Sequence, residues 1–557
     1  MPFHRRFCLA AALVAALVAH DVLAERKTVC TITVNSADEK DTFRRYLPSD
    51  QYDFVELVER GRPDWLASAC RAGVRCDVLL ISGHFDGGDE FYSDRVDARE
   101  SLPVDEMERA SCSDSCPALF SQLREVYLFG CNTLNPDKLS TASAEVTRAL
   151  LRSGHSAADA ERVAALLDAQ HADSNRDKMR MIFRNVPVIY GFSSKAPLGA
   201  NAGPILDRYF KSEGTASIAS GRPNAKLLQL FAGSSMTVAS GATNADPQAG
   251  YGRDMCRFVD DRLSAPQRAA FVQALLGRDM AEVRAYLDPL EKYEASLTDA
   301  ERQAPAVARV LHAIASDDAI KARWLAFARD ADEPQVRARM IALASRFGWL
   351  SVDEQRAELV ALLRDVYRHA DVNSADVDLA CTLTGEHALE PALADFRRAA
   401  AAPSDTGHAA LLACAGSAGA RTIVVDALTS GRERDVELAQ VYLKQRPIAN
   451  AAELRDVALR IARMHDVDAQ IRALDTLALH RVSDPQSLEL LTHLFPVAKT
   501  VNVQRAIAGV LIRSDYESIA KPELVRALKE RRLKSPDGKD LIDVLIQRMQ
   551  ASLGRAA

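Results

Sequence analysis

Five short apolar runs, separated by amphipathic stretches, constrain the first part of this chain more than any other feature. Val29–Val34, Tyr52–Val58, Cys76–Ser82 (CDVLLIS), Glu125–Phe129 (EVYLF) and Val186–Phe192 (VPVIYGF) are rich in the β-branched and aromatic residues that favour strands. CDVLLIS is apolar through most of its length, the pattern of a strand covered on both faces. A helix is expected around Asp38–Tyr46, and Pro63 opens another that runs to about Ala72. Strands separated by helical stretches imply a parallel sheet with right-handed crossovers. A longer helical insertion, about 142–183, divides the fourth strand from the fifth, and 214–252, rich in Gly, Ala, Ser and Asn, is expected to be loop-rich.

From about residue 256 the strand signals all but vanish, and Ala, Leu and Arg recur at helical spacing to the end. Segments 336–348, 471–482 and 504–515 look like variants of one helix, with Ala439, Ala473 and Ala506 at equivalent positions 34 and 33 residues apart. A small residue recurring at one helical position is what stacked helix pairs need for close contact. This half resembles HEAT-like repeats. The expected fold is therefore an α/β domain over 25–255, with a mostly parallel sheet flanked by helices, followed over 256–557 by an all-α helical-repeat solenoid.

The 557 residues are too many for one ordinary core, and a formal net charge of -6 gives no general attraction to nucleic acid or anionic membrane. Residues 1–24 have the pattern of a cleavable signal peptide. His4, Arg5 and Arg6 precede an apolar core from Phe7 to Ala19, and Val22 and Ala24 are small residues before a cleavage site. That core is too short to span a bilayer and no other segment is long and apolar enough, so a periplasmic or secreted protein without a stable membrane anchor is expected. Beyond the signal lie nine cysteines, and in an oxidising compartment an odd number leaves at least one thiol without an intrachain partner. Cys70 with Cys76, and Cys112 with Cys116, could form disulfides or together supply four thiolates to zinc. Export favours disulfides, so no metal is assigned, and the connectivity stays open.

Two of the apolar runs end in chemically useful residues. Asp77-Val-Leu-Leu-Ile-Ser-Gly-His84-Phe85 delivers an imidazole, and Glu125-Val-Tyr-Leu-Phe-Gly-Cys131-Asn-Thr a thiol. Ligands bind outside the carboxyl ends of strands in open α/β sheets, so neighbouring strands would bring His84 and Cys131 into one crevice. A thiol is a strong nucleophile, and an adjacent imidazole can take its proton and return it to a leaving amine.

On these residues the chain resembles the caspase-like cysteine peptidases, which include caspases, legumains, clostripains, gingipains, separases and bacterial CHAT domains. They share an apolar strand ending in the catalytic histidine and a second ending in a small residue and cysteine. The 47-residue separation here matches the ~50 expected of caspases. The resemblance covers about 28–212 and implies that His84 and Cys131 are catalytic. It also implies that the backbone amides of Phe85, standing where relatives carry glycine, and of Cys131 form the oxyanion hole. Phe129 occupies the position where relatives that cleave after basic residues often carry an acid, which argues against that specificity. Lys195, in the segment Ser193-Ser194-Lys195, lies where relatives contribute pocket residues. Substrate contacts are accordingly expected from Phe129, Ser193, Ser194 and Lys195.

The implied activity is a cysteine endopeptidase acting on protein or peptide substrates without a cofactor, with the repeats binding substrate or a regulatory protein. The alternative is a non-catalytic peptidase-like scaffold that binds protein through its repeats.

Overall fold

The computed structural model describes residues 26–556 apart from 58–64, 86–87, 94–99, 113–115, 117, 138–142, 153, 172–173, 261, 400–402, 404, 481, 515–518 and 534–540. The expected signal peptide and the glycine at 87 lie outside the described residues. The chain forms two compact units, 1–320 and 321–557.

In the first unit a six-stranded sheet is built from β1 (Lys27–Thr33), β2 (Tyr52–Glu56), β3 (Val78–Ser82), β6 (Glu125–Phe129), β7 (Val188–Phe192) and β8 (Met236–Ala239). Its spatial order is β2-β1-β3-β6-β7-β8, and every pairing is parallel except β7 with β8. A hairpin of β4 (Glu90–Tyr92) and β5 (Ser101–Pro103) stands outside it. Alternate residues serve opposite faces. Val78, Leu80, Tyr127 and Tyr190 pack into one core, while Leu79, Ile81, Val126 and Ile189 pack into the other. Burial on both faces explains why β3 and β6 are apolar through most of their length. The crossover between β6 and β7 holds the helical insertion as three helices, Ser143–Arg152, Ala157–Gln170 and Asn175–Ile182.

Irregular backbone makes up most of 214–252, with helix Ala225–Leu230, strand β8 and the start of helix Ala249–Val259 set into it. β8 has only four residues at the sheet edge, too few for a periodic signal. The compact units divide at 320/321 rather than near 256, because the helices from 249 to 315 belong to the first unit.

The cysteines pair as Cys30–Cys76, Cys70–Cys116, Cys112–Cys256 and Cys381–Cys414. Neither close pair in the sequence is joined to itself. Each cysteine instead bridges elements that the fold brings together, such as β1 to the start of β3. Among the described residues the one free thiol is Cys131, and no cluster of three or more His, Cys, Asp or Glu is arranged to hold a metal ion. No helix of the described residues is long and apolar enough to cross a membrane.

All the regular secondary structure described in the second unit is helical. Helices Ser374–Glu386, Glu433–Gln445, Val467–Leu479, Val501–Arg513 and Leu541–Ala556 pack each against the next. The helices that begin at Glu433, Val467 and Val501 start 34 residues apart. This interval pairs Ala439 and Ala473 with Ile507, one residue beyond Ala506. All four side chains are buried. A recurring polar contact follows the same interval: Gln470 donates from Nε2 to the Ile461 carbonyl at 3.0 Å, and Gln504 to the Phe495 carbonyl at 3.1 Å.

Candidate active site at the carboxyl edge of the sheet

Strand register brings the two expected residues together. β3 and β6 are adjacent and parallel with Ser82 opposite Phe129, so His84 and Cys131 each lie two residues beyond paired strand ends. Both line one cleft of about 340 Å3, measured out to open solvent. The glycine before the cysteine is required by close approach, because a Cβ at Gly130 would sit 2.8 Å from Phe85 Cβ and 2.9 Å from the Gly83 carbonyl oxygen.

The turn after Cys131 is held from several sides. Asn132 adopts a left-handed backbone (φ 59°), a conformation Asn tolerates better than most residues. Its N–H donates to the Ser194 carbonyl at 2.6 Å, and Asn175 Nδ2 donates to the Asn132 carbonyl at 3.1 Å. The buried Thr133 hydroxyl donates to the Gly130 carbonyl and accepts the Phe192 N–H, both at 3.1 Å. The Ala196 N–H donates to Cys131 Sγ at 3.3 Å, which orients the sulfur.

The histidine is carried by a bridge to β4. His84 and Tyr92 exchange two backbone hydrogen bonds of 2.9 Å, and their rings lie 5.4 Å apart. Phe85 is fully buried and stacks on Phe91 at 4.6 Å. Its side chain therefore anchors the hairpin in the core while its backbone follows the histidine. Among the described residues neither the Phe85 nor the Cys131 amide donates to another protein group.

Of the expected substrate contacts, Phe129 lines the cleft. Ser193 and Ser194 do not, and are engaged structurally: both backbone amides bond Ser235 at 3.1 Å. Lys195 is exposed and outside the lining. The cleft wall is completed by Ala196 to Gly199 and by groups that sequence reasoning missed, Asn35, Ser36, Glu39 and Ser82.

Glu39 is the most consequential of these. It is 2% exposed, and the Ser82 hydroxyl donates to its Oε2 at 2.9 Å. Burial holds its carboxyl up at about 7, against hydrogen bonds from its own amide and from Ser82. A sequence signal existed in the helix Asp38–Tyr46, where Glu39 shares its buried face with Thr42 and Phe43 at helical spacing.

No family model, curated protein or solved structure matches the chain.

Proposed function

We propose that this protein is a caspase-like cysteine endopeptidase exported to the periplasm or beyond. The observation that carries the reading is the delivery of an imidazole and the free thiol to one cleft by adjacent parallel strands in matched register. Cys131 Sγ attacks the scissile carbonyl carbon as His84 takes the thiol proton. The carbonyl π electrons move to oxygen, and the Phe85 and Cys131 amides provide donors for that oxyanion. Collapse breaks the C–N bond, His84 protonates the departing amine, and a thioester remains. Water then adds to the thioester with His84 accepting its proton, which releases the acid and restores the thiol.

The cleft also suggests which side chain is accepted before the scissile bond. Glu39 is a carboxyl nearly out of water, opening onto the cleft that holds the dyad, and a lysine or arginine side chain would supply its missing counter-charge. With Lys195 outside the cleft, an acidic side chain has no such partner there. The unit from 321 onward fits a HEAT-like repeat surface for substrate or a regulatory protein, supported by the 34-residue recurrence of its helices. The disulfides and the signal-like start support an oxidising, extracytoplasmic location.

A positional-scanning library of fluorogenic peptides, assayed with wild type and Cys131→Ala, tests the reading. Cleavage after Lys or Arg that disappears in the variant is expected. Hydrolysis that survives in Cys131→Ala, or none by the wild type, would leave the non-catalytic scaffold as the better account.

A further inference from the structure

A second cleft in the α/β unit shares no lining residue with the first and encloses about 990 Å3 out to open solvent. One part of its wall is apolar, formed by Met181, Met255, Phe258 and Val259. Another part carries four carboxyl side chains, Asp89, Asp105, Glu108 and Asp288, against two lysines, Lys178 and Lys292. Lys292 is already engaged, with its Nζ 2.6 Å from Asp105.

Glu108 stands out among the four. Burial, and then the neighbouring Asp105 charge, hold its carboxyl up at about 7 despite Lys292 and Lys178. Among the described residues, Asp89 on the hairpin, Asp288 on the helix Leu287–Ser296 and Arg184 in an adjoining cavity are the other charged groups lining these cavities. The two lysines do not outweigh burial and the Asp105 charge at this carboxyl. Tyr293, which also lines the cleft and is 4% exposed, has a hydroxyl with no hydrogen-bond partner among the described residues, an uncommon condition for a buried polar group.

We propose that this cleft binds an organic cation, an amine or guanidine on an apolar body, with the charge set against Glu108 and the body on Met181, Met255 and Phe258. A bare metal ion fits less well, because it needs several converging oxygen donors and no such cluster exists among the described residues. The apolar wall gives the body of an organic cation a surface to cover.

Titration calorimetry on the full chain with three probes of one shape, 4-phenylbutylamine, 4-phenylbutanol and 4-phenylbutyrate, tests this. The amine is expected to bind at least tenfold tighter than the other two. Its binding should strengthen severalfold from pH 6 to pH 8 as Glu108 loses its proton. Glu108→Gln should weaken amine binding about tenfold at pH 8 and flatten the pH dependence, while Lys178→Gln, which removes a competing cation, should tighten it. Measured in the Glu39→Gln background, where the other cleft has lost its carboxylate, amine binding and its dependence on Glu108 should persist, which separates this site from the peptidase cleft. No amine binding, equal binding of the three probes, or binding unaffected by both Glu108→Gln and Lys178→Gln would overturn the proposal. So would loss of binding in Glu39→Gln.

Discussion

Two buried polar side chains, one in each unit, are used in opposite ways. In the helical unit Gln504 is fully buried and its amide is used on both sides: Nε2 donates to the carbonyls of Phe495 at 3.1 Å and Arg531 at 2.9 Å, while Oε1 accepts the Leu533 N–H at 2.9 Å. In the α/β unit Glu39 is almost as deeply buried but opens onto a cleft, and burial outweighs the hydrogen bonds that favour its charge. A buried polar group that satisfies a backbone is part of the fold. One left short of counter-charge at a sheet edge is a candidate for binding or catalysis.

The largest expected contrast lies in the disulfides. Cys30–Cys76 and Cys70–Cys116 each close 46 residues, a loop for which chain entropy alone gives about 4 kcal/mol per bond. The α/β unit has three such links and the helical unit one. Reduction should therefore strip hydrogen-exchange protection from β1, β3 and β6 well before the helices over 433–513. Equal loss in both would break the contrast.

Glu39→Gln should be stabilising, with a sign set by pH. Burial pushes the folded carboxyl up to about 7, well above the ordinary 4.5 of a glutamate. The folded chain thus holds the extra proton between those values, and stability falls as pH rises from 4.5 to 7. A glutamine abolishes that loss, of order 3 kcal/mol above pH 7 and nothing below pH 4.5. Thermal melts at pH 8 and pH 5 should show the variant ahead only at pH 8. Gln504→Leu should do the reverse, costing about 2 kcal/mol at either pH through the backbone groups it orphans. A stabilising Gln504→Leu or a destabilising Glu39→Gln would erase the distinction between the units.

Most of the sheet was legible because β1, β3, β6 and β7 are buried on both faces, and that leaves contiguous apolar runs in the sequence. His84 and Cys131 were legible because each terminates such a run. Glu39 was obscured by its acidic surroundings, Asp38-Glu39-Lys40-Asp41, although its burial follows helical spacing with Phe43. Nor could spacing reveal that Cys76 crosses to Cys30, since that pairing depends on β1 and β3 being neighbours. The repeat interval was visible, yet its register slipped by one residue because alanine is common on every face of these helices.

The smallest effect is expected at the surface of the helical unit. Arg472 pairs with Glu433 at 3.0 Å with both side chains largely in solvent, so Arg472→Ala should change stability by less than about 0.5 kcal/mol. A larger loss in denaturant unfolding would mean that surface pairs, as well as buried amides, hold the repeats in register.

The central claim is that His84 and Cys131 act as one chemical unit. Labelling by a peptidyl acyloxymethyl ketone with lysine next to the warhead, followed by peptide mapping, tests it most directly. One adduct is expected, on Cys131 Sγ, formed at least a hundredfold faster than in His84→Ala and faster than with an aspartate probe. An unlabelled Cys131, or labelling as fast without the imidazole, would contradict it.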